Sequence, residues 1–262
     1  MRRDSALRGP SSLTGSGERV RLPDGLVFGT FVRRRNRFAA DVLVDGCEAV
    51  AHVPNSGRMT ELLVNGATVL LEPAPRDTTR RTEFSLVLVR HQGRWVGVDS
   101  RLPPALLIEA WRRGLLDALG CYGHVRREVR YGGSRLDLLF EGPAGLCYVE
   151  TKSVNLVVGG VALFPDAPTA RGVRHLGELV RAVDSGHRAA AVFVIQRDDA
   201  VALSPHDEAD PQFADALRRA VAQGVEAYAI ACDVTSTVIT PRRLVPVRLL
   251  SQAPHDGGTQ GR

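Results

Sequence analysis

The chain has 262 residues, is 44% hydrophobic and 24% charged, and carries a net charge of +5, which allows one large domain or two modest ones. No apolar run reaches the roughly 18–20 residues needed to cross a bilayer, and MRRDSALRGPSSLTGSGE at the N-terminus lacks the apolar core of a secretory signal. Four scattered cysteines (Cys47, Cys121, Cys147, Cys232) show no zinc-ligand spacing, so the expectation is a cytoplasmic protein with reduced thiols and no membrane partner.

Residues 1–17, rich in Arg, Ser and Gly, predict a disordered basic tail, and 251–262 predict a second disordered tail. Residues 1–40 hold nine arginines against Asp4, Glu18 and Asp24, an excess that suits a polyanionic partner. From Leu22 to Val89, short apolar runs alternate with turn signals such as Asp45-Gly46 and Asn65-Gly66, which predicts an OB-like barrel over 18–89. Within it, Arg33, Arg34, Arg35 and Arg37 are interleaved with Phe31 and Phe38. Such a surface can track phosphates and stack bases, and the four arginines are read as DNA contacts; the two phenylalanines equally suit core positions at strand spacing.

From 90 to 250 the pattern changes. PPALLIEAWRRGLLDAL (103–119) has helical periodicity behind two prolines. The strands HVRREVRYG, SRLDLLFEG and LCYVETKSV follow, then the helix PTARGVRHLGELVRAVDSG, the buried strand RAAAVFVIQR, the helix PQFADALRRAVAQG and the strand VEAYAIACDV. This order predicts an α/β domain with helices on a mixed central sheet and no internal repeat.

LCYVETKSV contains Lys152, the one lysine among 34 Lys and Arg residues. Lys152 is either a solvated strand-end charge or, the favoured reading in a sequence that otherwise uses Arg, a residue with a role that arginine cannot fill: an ammonium is compact and has a tunable pKa, whereas a guanidinium is planar and permanently charged. Period-two alternation puts Glu150 and Lys152 on one face, and a hairpin with SRLDLLFEG brings Asp137 beside Glu150. Paired carboxylates repel unless a divalent cation lies between them. Mg²⁺ suits this, with Mn²⁺ as the alternative, and the Thr151 carbonyl completes the expected set. Lys152 would then position an attacking water.

Several accessory candidates have bland alternatives. Glu128 is a third carboxylate or an exposed glutamate among arginines. Glu109 reaches the site from its helix or faces solvent, and Gln196 orients Lys152 or caps its strand. Arg171 and Arg174 begin a helix after FPDAPTARG. Cations oppose the helix dipole there, so both are read as phosphate contacts, with Thr169 or Asp166 as the cap. His175 fits a surface helix as well as a catalytic site.

Asp137-x12-Glu150-Thr151-Lys152 resembles the D-xn-ExK signature of PD-(D/E)xK nuclease-like proteins. HVPNSGRMTELL (52–63), YGGSRLDLL (131–139), VETKSV (149–154), FPDAPTARGVRHLGEL (164–179) and VFVIQR (192–197) together resemble the sugar fermentation stimulation protein A (SfsA) family. Thr151 and Asn155 depart from that family's VEVKSVTL-like run. The resemblance, over roughly residues 20–250, implies an OB-type domain before a PD-(D/E)xK-type domain. It also implies non-specific DNA binding and a regulatory link to maltose metabolism. The combined expectation is a DNA-binding, Mg²⁺-dependent nuclease with catalytic Asp137, Glu150 and Lys152. The alternative is a DNA-binding regulator that kept the nuclease fold without cleavage. RNA as substrate and assembly as a homo-oligomer stay open at this point.

Overall fold

The structure is a computed structural model that describes residues 20–75 and 81–250; both expected tails lie outside them. In chain order the strands of the first part are β1 (Val20–Arg21), β2 (Val27–Asn36), β3 (Ala39–Val44), β4 (Cys47–His52), β5 (Thr68–Pro73), β6 (Phe84–His91) and β7 (Arg94–Gly97). Strands β2 to β6 form an OB-like barrel. β3 pairs with β2 and β4, β2 with β5, and β5 with β6, all antiparallel. A short parallel pairing of β4 with β6 (Ala51 to Phe84, His52 to Ser85) closes the five strands, leaving fewer open edges. Phe31, Val42, Leu71 and Leu86 fill the interior, with Met59 and Leu62 from the β4–β5 connection.

β6 is buried on both faces, which explains its unbroken apolar run. Leu86 and Val89 face the barrel core, while Val87 and Leu88 join the core beneath the second domain. β7 extends the barrel sheet to Gly97, so the expected boundary at residue 89 falls inside β6. β1, expected in the barrel, instead pairs with the last strand of the second domain.

The second domain contains α1 (Pro103–Arg112), β8 (His124–Tyr131), β9 (Ser134–Gly142), β10 (Gly145–Val154), β11 (Val157–Val158), β12 (Val161–Phe164), α2 (Ala170–Asp184), β13 (Arg188–Ile195), β14 (Ala202–Pro205), α3 (Pro211–Ala222), β15 (Glu226–Val234) and β16 (Val238–Val245). Its mixed seven-stranded sheet runs β1-β16-β15-β13-β10-β9-β8, with β10, β13 and β15 parallel at the centre. α1 covers one face, where Leu106 and Leu107 meet Val149, Val192 and Val194. α2 and α3 cover the other, where Leu176, Leu179 and Leu217 meet Ala191 and Phe193. The prolines in α1 stand at its first turn, as their missing N–H groups allow.

The helix expected over 103–119 ends at Arg112. Gly114 takes φ +69, a left-handed conformation that terminates the helix, and only a 3-10 turn at Asp117–Leu119 follows. β11, β12 and β14 form a small separate sheet beside the main one. No described helix is long and apolar enough to cross a membrane.

Candidate functional site

The site forms where β9 and β10 part. Their ladder runs from Gly142–Gly145 to Leu138–Val149 and stops there, whereas β10 continues alongside β13 to Val154. Asp137 lies just past the last rung. Its Oδ2 accepts the Thr151 backbone N–H at 2.8 Å and the Thr151 hydroxyl, so the carboxylate is fixed to the facing strand without a ladder bond.

Glu150 and Lys152 share the face of β10 beneath α2, as strand alternation requires. Glu150 Oε1 accepts from Lys152 Nζ at 2.7 Å and from His175 Nδ1 on α2. His175 is 2% exposed, and its Nε2 accepts from Arg171 Nε at 3.3 Å, which places the ring proton on Nδ1. The second oxygen, Glu150 Oε2, is buried with no hydrogen-bond partner. An orphaned carboxylate oxygen is costly unless a ligand completes it.

The two carboxyls are driven apart electrostatically. Burial and the neighbouring Glu150 charge push the Asp137 carboxyl above its ordinary value, against the Thr151 hydrogen bonds. Burial also works against ionisation of Glu150, but Lys152 and His175 outweigh it and hold that carboxyl below its usual range.

These groups open into a cleft of about 650 Å³ walled by both domains. Asp137, Glu150, Thr151, Lys152, Glu128, Arg127 and Arg171 line it from the sheet side, and Arg37, Asn55, Ser56 and Gly57 from the barrel side. Thr169 caps α2 at the rim by accepting from Gly172 N at 3.0 Å. Asp166 does not cap; its Oδ2 accepts from Met59 N at 3.0 Å and ties the FPDAP segment to the barrel loop. Gly57 packs so closely on Asp166 that a Cβ there would overlap the carboxylate. Asn155 also bridges the domains, donating to Gly97 O and accepting from Asn55 Nδ2 at 3.1 Å. This residue, which breaks the family-like run, is therefore a domain link.

Other expected residues are placed differently. Arg34 is no free phosphate contact: it donates to the carbonyls of Asn36, Arg37, Asn55, Gly57 and Arg58. Arg33 and Arg35 both pair with Asp41 on the barrel exterior. Glu109 is buried away from the cleft, accepting from Val20 N at 2.9 Å and from Arg113, so it anchors β1. Gln196 donates to Asp99 O at 2.9 Å and Ser153 Oγ at 2.8 Å; it joins β10 to the interdomain connection and does not reach Lys152. Glu128 reaches the cleft wall, but its carboxylate pairs with Arg135 at 2.6 Å. Arg174 is exposed on α2 and is not among the residues that wall the cleft. His175, which the sequence left between a surface and a site position, is buried against Glu150. A helix position four after Arg171 was its one available signal.

The comparisons with known proteins cover most of the chain. Residues 32–98 match the SfsA N-terminal OB domain, and residues 101–238 match the sugar fermentation stimulation protein RE domain. The chain belongs to the sugar fermentation stimulation protein family. A sugar fermentation stimulation protein homolog of Desulforamulus reducens is 45% identical over 228 residues, 87% of this chain and 94% of that protein. The homolog of Moorella thermoacetica is 47% identical over 231 residues, 88% of this chain and all of its own. Among solved structures, Pyrococcus furiosus SfsA in complex with Ca²⁺ superposes with a TM-score of 0.80 at 30% identity, covering 88% of this chain and 99% of that one. The two SfsA domain matches meet just after β7, where the barrel sheet ends.

The donor set suits a hard divalent cation. Asp137 and the unpartnered Glu150 Oε2 supply carboxylate oxygens in a cleft with room for water. Among the described residues no group of three or more His, Cys, Asp and Glu is placed to hold a metal. Two carboxylates with room for water are an all-oxygen set, of the kind hard divalent cations take.

Proposed function

We propose that this protein binds DNA non-specifically and hydrolyses its phosphodiester bonds at the Asp137–Glu150–Lys152 cleft with Mg²⁺, or Mn²⁺ in its place. The observation that carries this reading is the buried, unpartnered Glu150 Oε2 beside Asp137 and the chain's one lysine, in a cleft with arginines on both walls. Asp137, Glu150 and the Thr151 carbonyl would hold the cation, which when bound supplies positive charge to neutralise phosphoryl oxygens. The Ca²⁺ of the Pyrococcus furiosus relative, also an oxygen-seeking ion, supports that choice.

The protein's own groups do the remaining work. His175 and Lys152 both donate to Glu150 Oε1, which fixes the carboxylate and keeps its other oxygen available. Lys152 Nζ positions a water for in-line attack on phosphorus and stabilises the negative charge that builds as the bond to the leaving oxygen breaks. Arg37, Arg127 and Arg171 hold the flanking phosphates.

The test is incubation of plasmid and single-stranded DNA with Mg²⁺, Mn²⁺ or EDTA. Cutting is expected with either metal and not with EDTA, and Lys152→Ala is expected to slow it at least about 100-fold while leaving binding intact. Binding without cutting under every condition would leave a DNA-binding regulator on a nuclease fold. Undiminished cutting by Lys152→Arg would refute the argument for an ammonium.

A further inference from the structure

The β2–β3 hairpin breaks the pattern of the other barrel turns. Asn36 pairs with Ala39, so Arg37 and Phe38 form a two-residue loop. Such loops favour Gly, Asn or Asp because their backbones need positive φ. The β3–β4 and β6–β7 turns comply, with Asp45-Gly46 and Gln92-Gly93 all at positive φ. Arg37-Phe38 has neither glycine nor positive φ, and it exposes a large apolar ring at a position where turn chemistry favours a small polar residue. Phe31 on β2 is 2% exposed and belongs to the core, whereas Phe38 in the loop is 50% exposed. Local rules broken without a packing gain point to function.

The backbone of the tip is also pinned by hydrogen bonds. Phe38 N donates to Asn36 Oδ1 at 2.8 Å, and Phe38 O accepts from Val53 N at 2.9 Å and meets His52 Nδ1 at 3.1 Å. Arg34 grips the carbonyls of Asn36 and Arg37 at 3.2 and 2.6 Å. Arg37 itself lines the cleft that contains Asp137, Glu150 and Lys152. Arg33 and Arg35 share the single carboxylate of Asp41, and Arg37 adds a further cation to this hairpin. An exposed aromatic ring on a hydrogen-bonded backbone, next in the chain to an arginine that lines the cleft, matches the chemistry of an unpaired nucleobase stacked on its ring, with its backbone on the cations.

We propose that Phe38 is a base-stacking residue and that this protein prefers single-stranded or locally unpaired DNA, the phosphate next to the stacked base entering the cleft. A base within a duplex is already stacked on its neighbours and presents no free face to the ring. This inference rests on the DNA-binding reading above and narrows its substrate.

The test measures fluorescence anisotropy of labelled oligothymidylate and of a duplex of equal length, in EDTA so that neither is cut. Wild type is expected to bind the single strand more tightly. Phe38→Ala is expected to lose about tenfold in single-strand affinity, the order of one stacked base, with duplex affinity and melting temperature unchanged. Phe38→Trp is expected to keep the single-strand preference and to gain indole emission that oligothymidylate quenches. If Phe38→Ala leaves the ratio of single-strand to duplex affinity unchanged, stacking is refuted and DNA binding stands. If wild type binds neither DNA, the DNA reading itself fails and takes this inference with it.

Discussion

Arg34 stands behind the barrel wall of the cleft, donating to Asn55 and Gly57, and Glu150 lines the sheet wall; their polar atoms are used in opposite ways. Every hydrogen bond of Arg34 goes to a backbone carbonyl, so its charge shapes the hairpin tip and the Asn55–Arg58 loop. Burial lowers the Arg34 pKa, with the Asp166 charge acting against that shift. Glu150 concentrates its two donors on one oxygen and leaves the other bare. A cation with all donors satisfied is scaffold; a buried carboxylate oxygen with none lacks the partner that would offset its desolvation. Cation density in the sequence therefore does not mark the cleft by itself: of Arg33, Arg34, Arg35 and Arg37, Arg37 alone is among its lining residues.

The largest effect that tests this contrast is on Arg34. Arg34→Ala removes five contacts and leaves part-buried carbonyls without donors, so a loss of about 3 kcal/mol in unfolding free energy is expected by denaturant titration. Arg34→Lys should recover less than half of it, because one ammonium cannot span carbonyls on both the hairpin and the loop. Unchanged stability in Arg34→Ala would place that side chain in solution, as a phosphate contact after all.

A smaller effect of opposite sign is expected on the sheet wall. Ionised Asp137 is penalised by burial and then by Glu150, so neutralising it relieves strain in the metal-free protein. Asp137→Asn keeps an oxygen to accept from Thr151 and is expected to stabilise the protein by about 1 kcal/mol in EDTA. Mn²⁺ or Ca²⁺ is expected to raise the melting temperature of wild type, and the same variant should lose that rise. Destabilisation in EDTA would mean that the Asp137 charge serves the fold.

The legible part of the molecule follows from short-range rules. Strand alternation put Glu150 and Lys152 on one face, and hairpin proximity brought Asp137 to the same place. The barrel was legible in its turn residues. What escaped depended on distant partners. Glu109 looks like any helix glutamate until β1 arrives to offer Val20 N. Gln196 ends a strand that meets the interdomain connection, a contact no local pattern encodes. His175 could be placed only once the packing of α2 on β10 aimed it at Glu150. The overlong helix at 103–119 was a misjudged local signal: apolar spacing continues past Gly114, but the backbone does not. β11, β12 and β14 are two to four residues long, too short for periodicity to register.

The smallest expected effect compares Asp137 with another carboxylate of the same sheet, Glu226 on β15. Burial opposes ionisation of both, but Glu226 is held below its ordinary value by Arg188, at 2.7 and 2.8 Å, and by Tyr228. A carboxyl whose value is lower folded than unfolded binds fewer protons in the native state. Its contribution is complete above the unfolded value and disappears as pH falls through the folded one. The pair is partly exposed, so this contribution is expected to stay under about 1 kcal/mol. Glu226→Gln should therefore be less stable than wild type at neutral pH, with the two denaturation curves converging in acid below the ordinary carboxylate range. A gap that persists to the lowest pH would assign the loss to packing of the new amide. A gap that closes would leave Glu226 as the paired counterpart of Asp137: one sheet holding one carboxylate whose charge stabilises the fold and one whose charge burial and Glu150 oppose.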